Sequence, residues 1–334
     1  IHIHGGTHVI DRDLAVTPTD ITLQIDADTT LQVDASVSVT ITAQVVGTGS
    51  LIKTGAGSLT LDNAGNGFAS SPNNTDGDDS GTPYSLGVEL REGTLTVKGG
   101  SAIPDGAAVV VSPGTTLTVE ADETIGSLES TGDHAGTPGN LVIHNGHTLT
   151  LGGNQRSTLY AGIISDADEA APGSVIKDGT GTLTLTGANS FSGGLTVQAG
   201  VIDTTGGGTL ADDLPVVVNA DARYVVGTVD TIGDLTTDAV GAGTTAGTVD
   251  VNADLTVRDA TDAGSSDDAD TADSDTAAMI DNQGVINLAA NLVIDSDASG
   301  TPDGKPNNDA LLVVAGGRRI SPGTLADNGG PGAI

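Results

Sequence analysis

A twelve-residue stretch of this chain occurs twice. Ser50-Leu-Ile-Lys-Thr-Gly-Ala-Gly-Ser-Leu-Thr-Leu61 is matched by Ser174-Val-Ile-Lys-Asp-Gly-Thr-Gly-Thr-Leu-Thr-Leu185, 124 positions later, and Phe68 then falls near Phe191. A second block repeats at an offset of 107: Gly99-Gly100 with Gly206-Gly207, Val109-Val110-Val111 with Val216-Val217-Val218, and Thr124-Ile125-Gly126 with Thr231-Ile232-Gly233. The 17-residue difference between the two offsets lies almost wholly between Phe68 and Gly87. That interval is rich in Ser, Asn, Asp, Gly and Pro, which is loop chemistry. A repeat that absorbs a loop without losing register is the mark of a solenoid, in which each coil touches only its neighbours.

The local pattern agrees. Apolar residues come in short alternating bursts, as in Leu59-Thr60-Leu61, Leu95-Thr96-Val97 and Leu149-Thr150-Leu151. Period-two alternation predicts strands with one buried face. Of 334 residues, 49 are Gly and only five are aromatic, with no Trp. A narrow interior of stacked coils has room for Val, Ile, Leu and Ala, while Gly and Asn serve the corners. Outward positions take Thr, which suits strands and tolerates water. The expected fold is all-β: a right-handed parallel β-helix, one continuous elongated domain over 1–334. Acidic loops are expected at 69–86 and 259–281.

Composition also removes function classes. The absence of Cys excludes disulfides and thiolate metal sites. A formal net charge of −33 repels phosphate, so nucleic acid is not an expected partner. No stretch approaches the roughly 18 consecutive apolar residues of a membrane helix, so no transmembrane segment is expected. An Asp-rich surface of this kind suits salty water, where screening relieves self-repulsion.

At this point the sequence resembles a known family. Leu149-Thr-Leu-Gly-Gly-Asn-Gln-Arg-Ser-Thr-Leu-Tyr-Ala-Gly-Ile-Ile164 resembles a coil of autotransporter passengers. The run from Ser174 to Gly200 resembles their passenger-associated repeat, and Thr124-Ile-Gly-Ser-Leu128 their "QTIGSL" element. The resemblance covers about 47–235. It implies a parallel β-helix and a secreted protein, extracellular or on the surface of a bacterium. It does not imply one activity, because the repeat is a scaffold shared by proteins with different tasks. Autotransporters end in an aromatic-rich membrane barrel, whereas this sequence has no aromatic after Tyr224 and closes on Gly-Gly-Pro-Gly-Ala-Ile334. A barrel cleaved away, or another export route, accounts for that. The start at Ile1, without Met, leads us to expect a removed signal peptide.

Function is expected at the ends and loops. Ile1 and Ile3 share one face of the first strand, with His2 and His4 on the other. The plain reading is a first strand with its aliphatics inward. The sharper one is a strand that joins subunits, through Ile1, Ile3, Val9 and Ile10, because an uncapped solenoid stacks head to tail into a homopolymer. His2, His4 and His8 are also candidate metal ligands. The acidic loops hold Asp76, Asp78 and Asp79, and Asp267, Asp268, Asp270, Asp273 and Asp275. Carboxylates at this density attract Ca²⁺, but the EF-hand pattern is missing and the plainer reading, which we favour, is a solvated insertion. No other cofactor is expected.

An enzyme is not expected. Polysaccharide-degrading β-helix enzymes remain the alternative in that class, but 11 scattered basic residues and five scattered aromatics build neither a lyase site nor a sugar platform. No Gly-x-Ser-x-Gly elbow occurs. Among the histidines, His144 and His147 flank Asn145-Gly146 and read as a surface turn; His134 lies nearby. Thr-x-Thr recurs at 94–96, 116–118, 148–150 and 182–184, but its uneven gaps do not give one copy per coil. The sequence therefore points to a non-catalytic extracellular structural protein that self-assembles into a surface fibre or layer. The alternative is an adhesive, autotransporter-like passenger that contacts host or matrix components.

Overall fold

The computed structural model describes residues 2–3, 5–16, 22–68, 86–130, 138–168, 170–238 and 246–258, and the strands at 279–282, 285–288, 292–295, 312–314, 318–320 and 323–326. The contacts divide the chain into two compact units, Ile1–Leu183 and Thr184–Ile334. The described residues contain strands, turns and bends but no helix, and the strands stack in parallel as a β-solenoid.

In the first unit, strands Gly6–Ile10, Thr29–Val33, Leu51–Thr54, Leu86–Leu90, Ala108–Val111 and Ser127–Ser130 pair in that order, all parallel. A second face runs Leu14–Val16, Ser38–Ile41, Ser58–Leu61, Thr94–Val97, Thr116–Val119, Asn140–Ile143 and Ile164–Asp166. Shorter strands close the third side: His2–Ile3, Thr22–Ile25 and Gln44–Val46 at first, then Glu123–Ile125, Thr148–Leu151 and Ser174–Lys177. Register is strict on the second face. Val39, Leu59, Leu95, Leu117, Leu141 and Ile164 lie side by side as one inward ladder, and every one of them is buried. A one-residue slip would turn the whole ladder to water, so alternation fixes pairing as well as strand formation. Each such side chain contributes about 1.5–3 kcal/mol by leaving water.

The second unit repeats the scheme. Gly194–Val197, Val216–Val218, Leu235–Thr237 and Met279–Asn282 form one parallel stack. Gly200–Asp203, Ala222–Val226, Thr248–Val251 and Val285–Leu288 form another, and Asp230–Ile232, Leu255–Arg258 and Leu292–Asp295 a third. Four of the five aromatics, Phe68, Tyr160, Phe191 and Tyr224, are fully buried. Their scarcity reflects how little width the interior offers.

One feature departs from the expected parallel pairing of every strand. Leu312–Val314, Arg318–Ile320 and Gly323–Ala326 lie antiparallel on Leu292–Asp295, Val285–Leu288 and Met279–Asn282 respectively. The chain therefore retraces the three faces in reverse order. A segment that doubles back on a coil must run against it, and antiparallel ladders hold at least as well per residue as parallel ones.

Candidate functional site

The structure places the predicted residues unevenly. Val9 and Ile10 lie on strand Gly6–Ile10, where Val9 is 60% exposed and Ile10 half-buried. Ile3 lies on a two-residue strand paired with Gln24–Ile25. Ile1, Asp76, Asp78, Asp79, Asp267, Asp268, Asp270, Asp273 and Asp275 fall outside the described residues, as do His4 and His134. The His144–His147 turn is as expected: the His147 N–H donates to the His144 carbonyl at 3.0 Å, and Asn145 and Gly146 have φ of 52° and 72°. His147 Nδ1 lies 3.1 Å from Asp122 Oδ1. Among the described residues no His, Asp and Glu cluster in threes around a cation-sized space, and no helix is long and apolar enough to cross a membrane.

The hydroxyl pattern is more regular than the sequence gaps suggest. Ser38, Ser58, Thr94 and Thr116 stack in one column, and Thr40, Thr60, Thr96 and Thr118 in the next. Loops of unequal length separate these strands in sequence, yet the coils bring them into register. Thr148–Thr150 lies on a different face, beside Ser174–Ile176.

Charges buried at the coil corners are the chemistry that sequence reading missed. Lys53 and Lys177, equivalent in the 124-residue repeat, are both fully buried. Lys53 Nζ donates to the carbonyls of Thr54 (3.1 Å), Gly55 (2.7 Å) and Glu92 (3.0 Å). Lys177 Nζ donates to those of Asp178 (2.6 Å) and Gly179 (2.8 Å). Burial lowers each amine to about 8, opposed by Glu92 and by Asp178 respectively. Each ammonium thus supplies the donors that a tight corner denies its own carbonyls. The turn that follows needs glycine. Gly55 and Gly179 have φ of +76° and +71°, and a Cβ there would stand 2.3 Å from the Val33 carbonyl oxygen and 1.9 Å from that of Gly152.

Two carboxylates mirror the lysines. Glu123 and Asp230 are buried and are equivalent in the 107-residue repeat. Glu123 accepts the N–H groups of Ala102 (2.9 Å) and Ile103 (2.8 Å). Asp230 accepts those of Leu210 (3.0 Å) and Thr231 (3.1 Å). Burial raises both to about 7 against the pull of these N–H bonds, with smaller contributions from Asp105 and Asp212. The other charged contacts are lateral. Asp250 accepts from Arg223 and from Asn287 Nδ2, Arg91 forks onto Glu89, and Lys98 faces Glu120 at 3.5 Å. Asp122 is held low by the Thr148 N–H and then by His147. The contacts of Lys53, Glu123, Asp230, Asp250, Lys98 and Asp122 reach a neighbouring coil and so hold coils together, whereas the Arg91–Glu89 pair lies within one coil.

Residues 175–203 match the family model of the passenger-associated transport repeat. The chain is also similar to the adhesin BmaC autotransporter of Brucella suis biovar 1 (strain 1330), at 34% identity over 124 residues. That match covers 32% of this chain and 4% of the adhesin, so the chain corresponds to a small part of that protein. No solved structure matches.

Proposed function

We propose that this chain, a parallel β-helix of the autotransporter-passenger type, serves outside the bacterial cell as a non-catalytic adhesive scaffold. The supporting observation is the passenger-associated repeat at 175–203, laid on coils whose interiors are filled by aliphatic ladders and whose buried charges bind backbone. Coils held in this way carry their loops at the surface, where they are free to vary and to touch host or matrix components. The similarity to an adhesin points the same way. The test is adhesion of beads coated with the purified chain to immobilised matrix proteins and to cultured epithelial cells. Retention above albumin-coated beads is expected; retention equal to albumin on every surface would overturn the reading.

A second reading, head-to-tail assembly into a fibre, is favoured by strand Gly6–Ile10. Among the described residues it pairs on one side only, with Thr29–Val33, and Val9 and Leu14 beside it are 60% and 42% exposed. A second copy adding a strand at Ile1, Ile3, Val9 and Ile10 would cover that edge. Electron micrographs should show filaments that vanish when residues 1–10 are removed; filaments unaffected by the removal would contradict it. Calcium held by the acidic loops belongs with either reading. It predicts a melting temperature raised by Ca²⁺ and restored by EDTA, and one indifferent to both would dismiss it.

A further inference from the structure

We propose that each compact unit carries an insertion port, between Phe68 and Val88 in the first and between Phe191 and Leu195 in the second, at which the chain can change length without disturbing the stack, and that the adhesive scaffold displays its contact segments there. The display role rests on the adhesive reading above; the port itself does not. On one side of each unit the strands give way to side chains. In the first unit the side built from His2–Ile3, Thr22–Ile25 and Gln44–Val46 forms no strand at 62–68 or 98–107 and resumes at Glu123–Ile125. In the second no strand forms at 186–193 or 204–215 before Asp230–Ile232. Single bridges, Val46 with Gly67 and Ala188 with Thr209, are what remains of the ladder.

Side chains carry the links between coils in the gap. Asn66 Oδ1 accepts the Val45 N–H at 2.8 Å, and its Nδ2 donates to the Ala102 carbonyl at 2.8 Å. Glu123, from the following coil, accepts the N–H groups of Ala102 and Ile103. The second unit builds the same frame. Asn189 Nδ2 donates to the Thr209 carbonyl at 3.0 Å, and Asp230 accepts the Leu210 N–H at 3.0 Å. Ala102 and Thr209, Ile103 and Leu210, and Glu123 and Asp230 all stand 107 residues apart, and each Asn lies two positions before a buried Phe. The backbone groups of the corner are thus satisfied without a strand on either side. Length is what differs between the copies. Phe68 and Val88 are 20 positions apart, Phe191 and Leu195 only four. Yet Val88 and Leu195 are equivalent and buried, and both lie in register, Val88 with Leu51 and Val109, Leu195 with Val216. From Val88 to Gly126 the offset to the second copy then holds at 107. Strand pairing fixes length, because a slip of one residue turns every side chain over. A connection between two anchored ends incurs only the slow logarithmic cost of closing a longer loop.

Exchanging the two connections in the full chain tests the proposal. One variant replaces residues 69–86 by Ser-Gly, the connection of the second unit; another places residues 69–86 between Phe191 and Gly194 in place of Ser192-Gly193. Both should melt within about 5 °C of the unmodified chain, with amide exchange protection at Leu195 and Leu210 retained. A control places the same segment between Asn145 and Gly146, in the turn closed by the Gly146 N–H on the Ala171 carbonyl at 2.8 Å, and should lower the melting temperature at least twice as far. A transplant that does not fold, or that melts as low as the control, would overturn the port, and so would a shortened chain that does either. In the bead assay, retention should fall to the albumin level for the shortened chain and rise for the transplant. A shortened chain that folds and adheres as well as the unmodified one would overturn the display role. Absence of adhesion even from the unmodified chain would overturn the adhesive reading and the display role with it, while the melting temperatures still decide the port.

Discussion

Lys53 ends in three carbonyl oxygens, and removing it strands them inside the protein. Lys53→Met should cost about 1–3 kcal/mol, the penalty for buried acceptors left without donors, read as a lower denaturant midpoint with unchanged slope. Gly55→Ala should cost at least as much, because a positive φ of 76° and the nearby Val33 carbonyl both exclude a Cβ. The lysines carry a pH signature. Their folded values are lowered to about 8 from 10.5. The stability they confer is therefore present above 10.5 and is lost as pH falls through about 8. Stability should rise between those limits in the unmodified chain, and the rise should disappear in a Lys53→Met/Lys177→Met variant followed by chemical denaturation. Both lysines were visible as repeated letters in the sequence. Their role was not, since a lysine in an alternating strand reads as an outward charge, and its acceptors include Glu92, 39 positions away. Glu123 was hidden in the same way: its neighbours Thr124, Ile125 and Gly126 marked the repeat, but its partners lie 20 and 21 residues back.

At the scale of strands, alternation gave both the elements and their facing. Leu59, Leu95 and Leu117 point inward as period two requires, and Thr60, Thr96 and Thr118 stack in register on the other side, Thr60 and Thr96 half-buried and Thr118 covered. Leu95→Ala should cost about 2–5 kcal/mol, as for a buried leucine whose neighbours cannot collapse into the space. Thr96→Ala, one residue on and outward, should stay within about 0.5 kcal/mol. Equal losses at the two positions, measured by thermal melting, would contradict the facing. Strand direction was the part that alternation could not reveal, because an alternating pattern reads the same both ways. The antiparallel strands Leu312–Val314, Arg318–Ile320 and Gly323–Ala326 therefore left no trace that distinguished them from another forward coil. Register across coils was equally hidden where loops differ in length, as between Leu59 and Leu95 against Leu95 and Leu117.

For the whole molecule, the repeat and the charge set the terms. A chain of net charge −33 repels itself at low ionic strength, and salt shortens that repulsion to about 10 Å at 0.1 M. The melting temperature should accordingly rise between low and physiological salt, and a fall would show that specific ion pairs outweigh the self-repulsion. The claim on which the rest depends is that successive coils lie in parallel register. It is tested most directly by spin labels on cysteines introduced into this Cys-free chain at Thr94 and Thr116, which lie side by side on neighbouring strands, with a Thr94/Thr148 pair as control. Directly stacked strands lie about 4.8 Å apart, so the first pair should give a spectrum strongly broadened by dipolar coupling and the control pair a narrower one. Equal spectra from the two pairs, or a broader one from the control, would contradict the stacked coils.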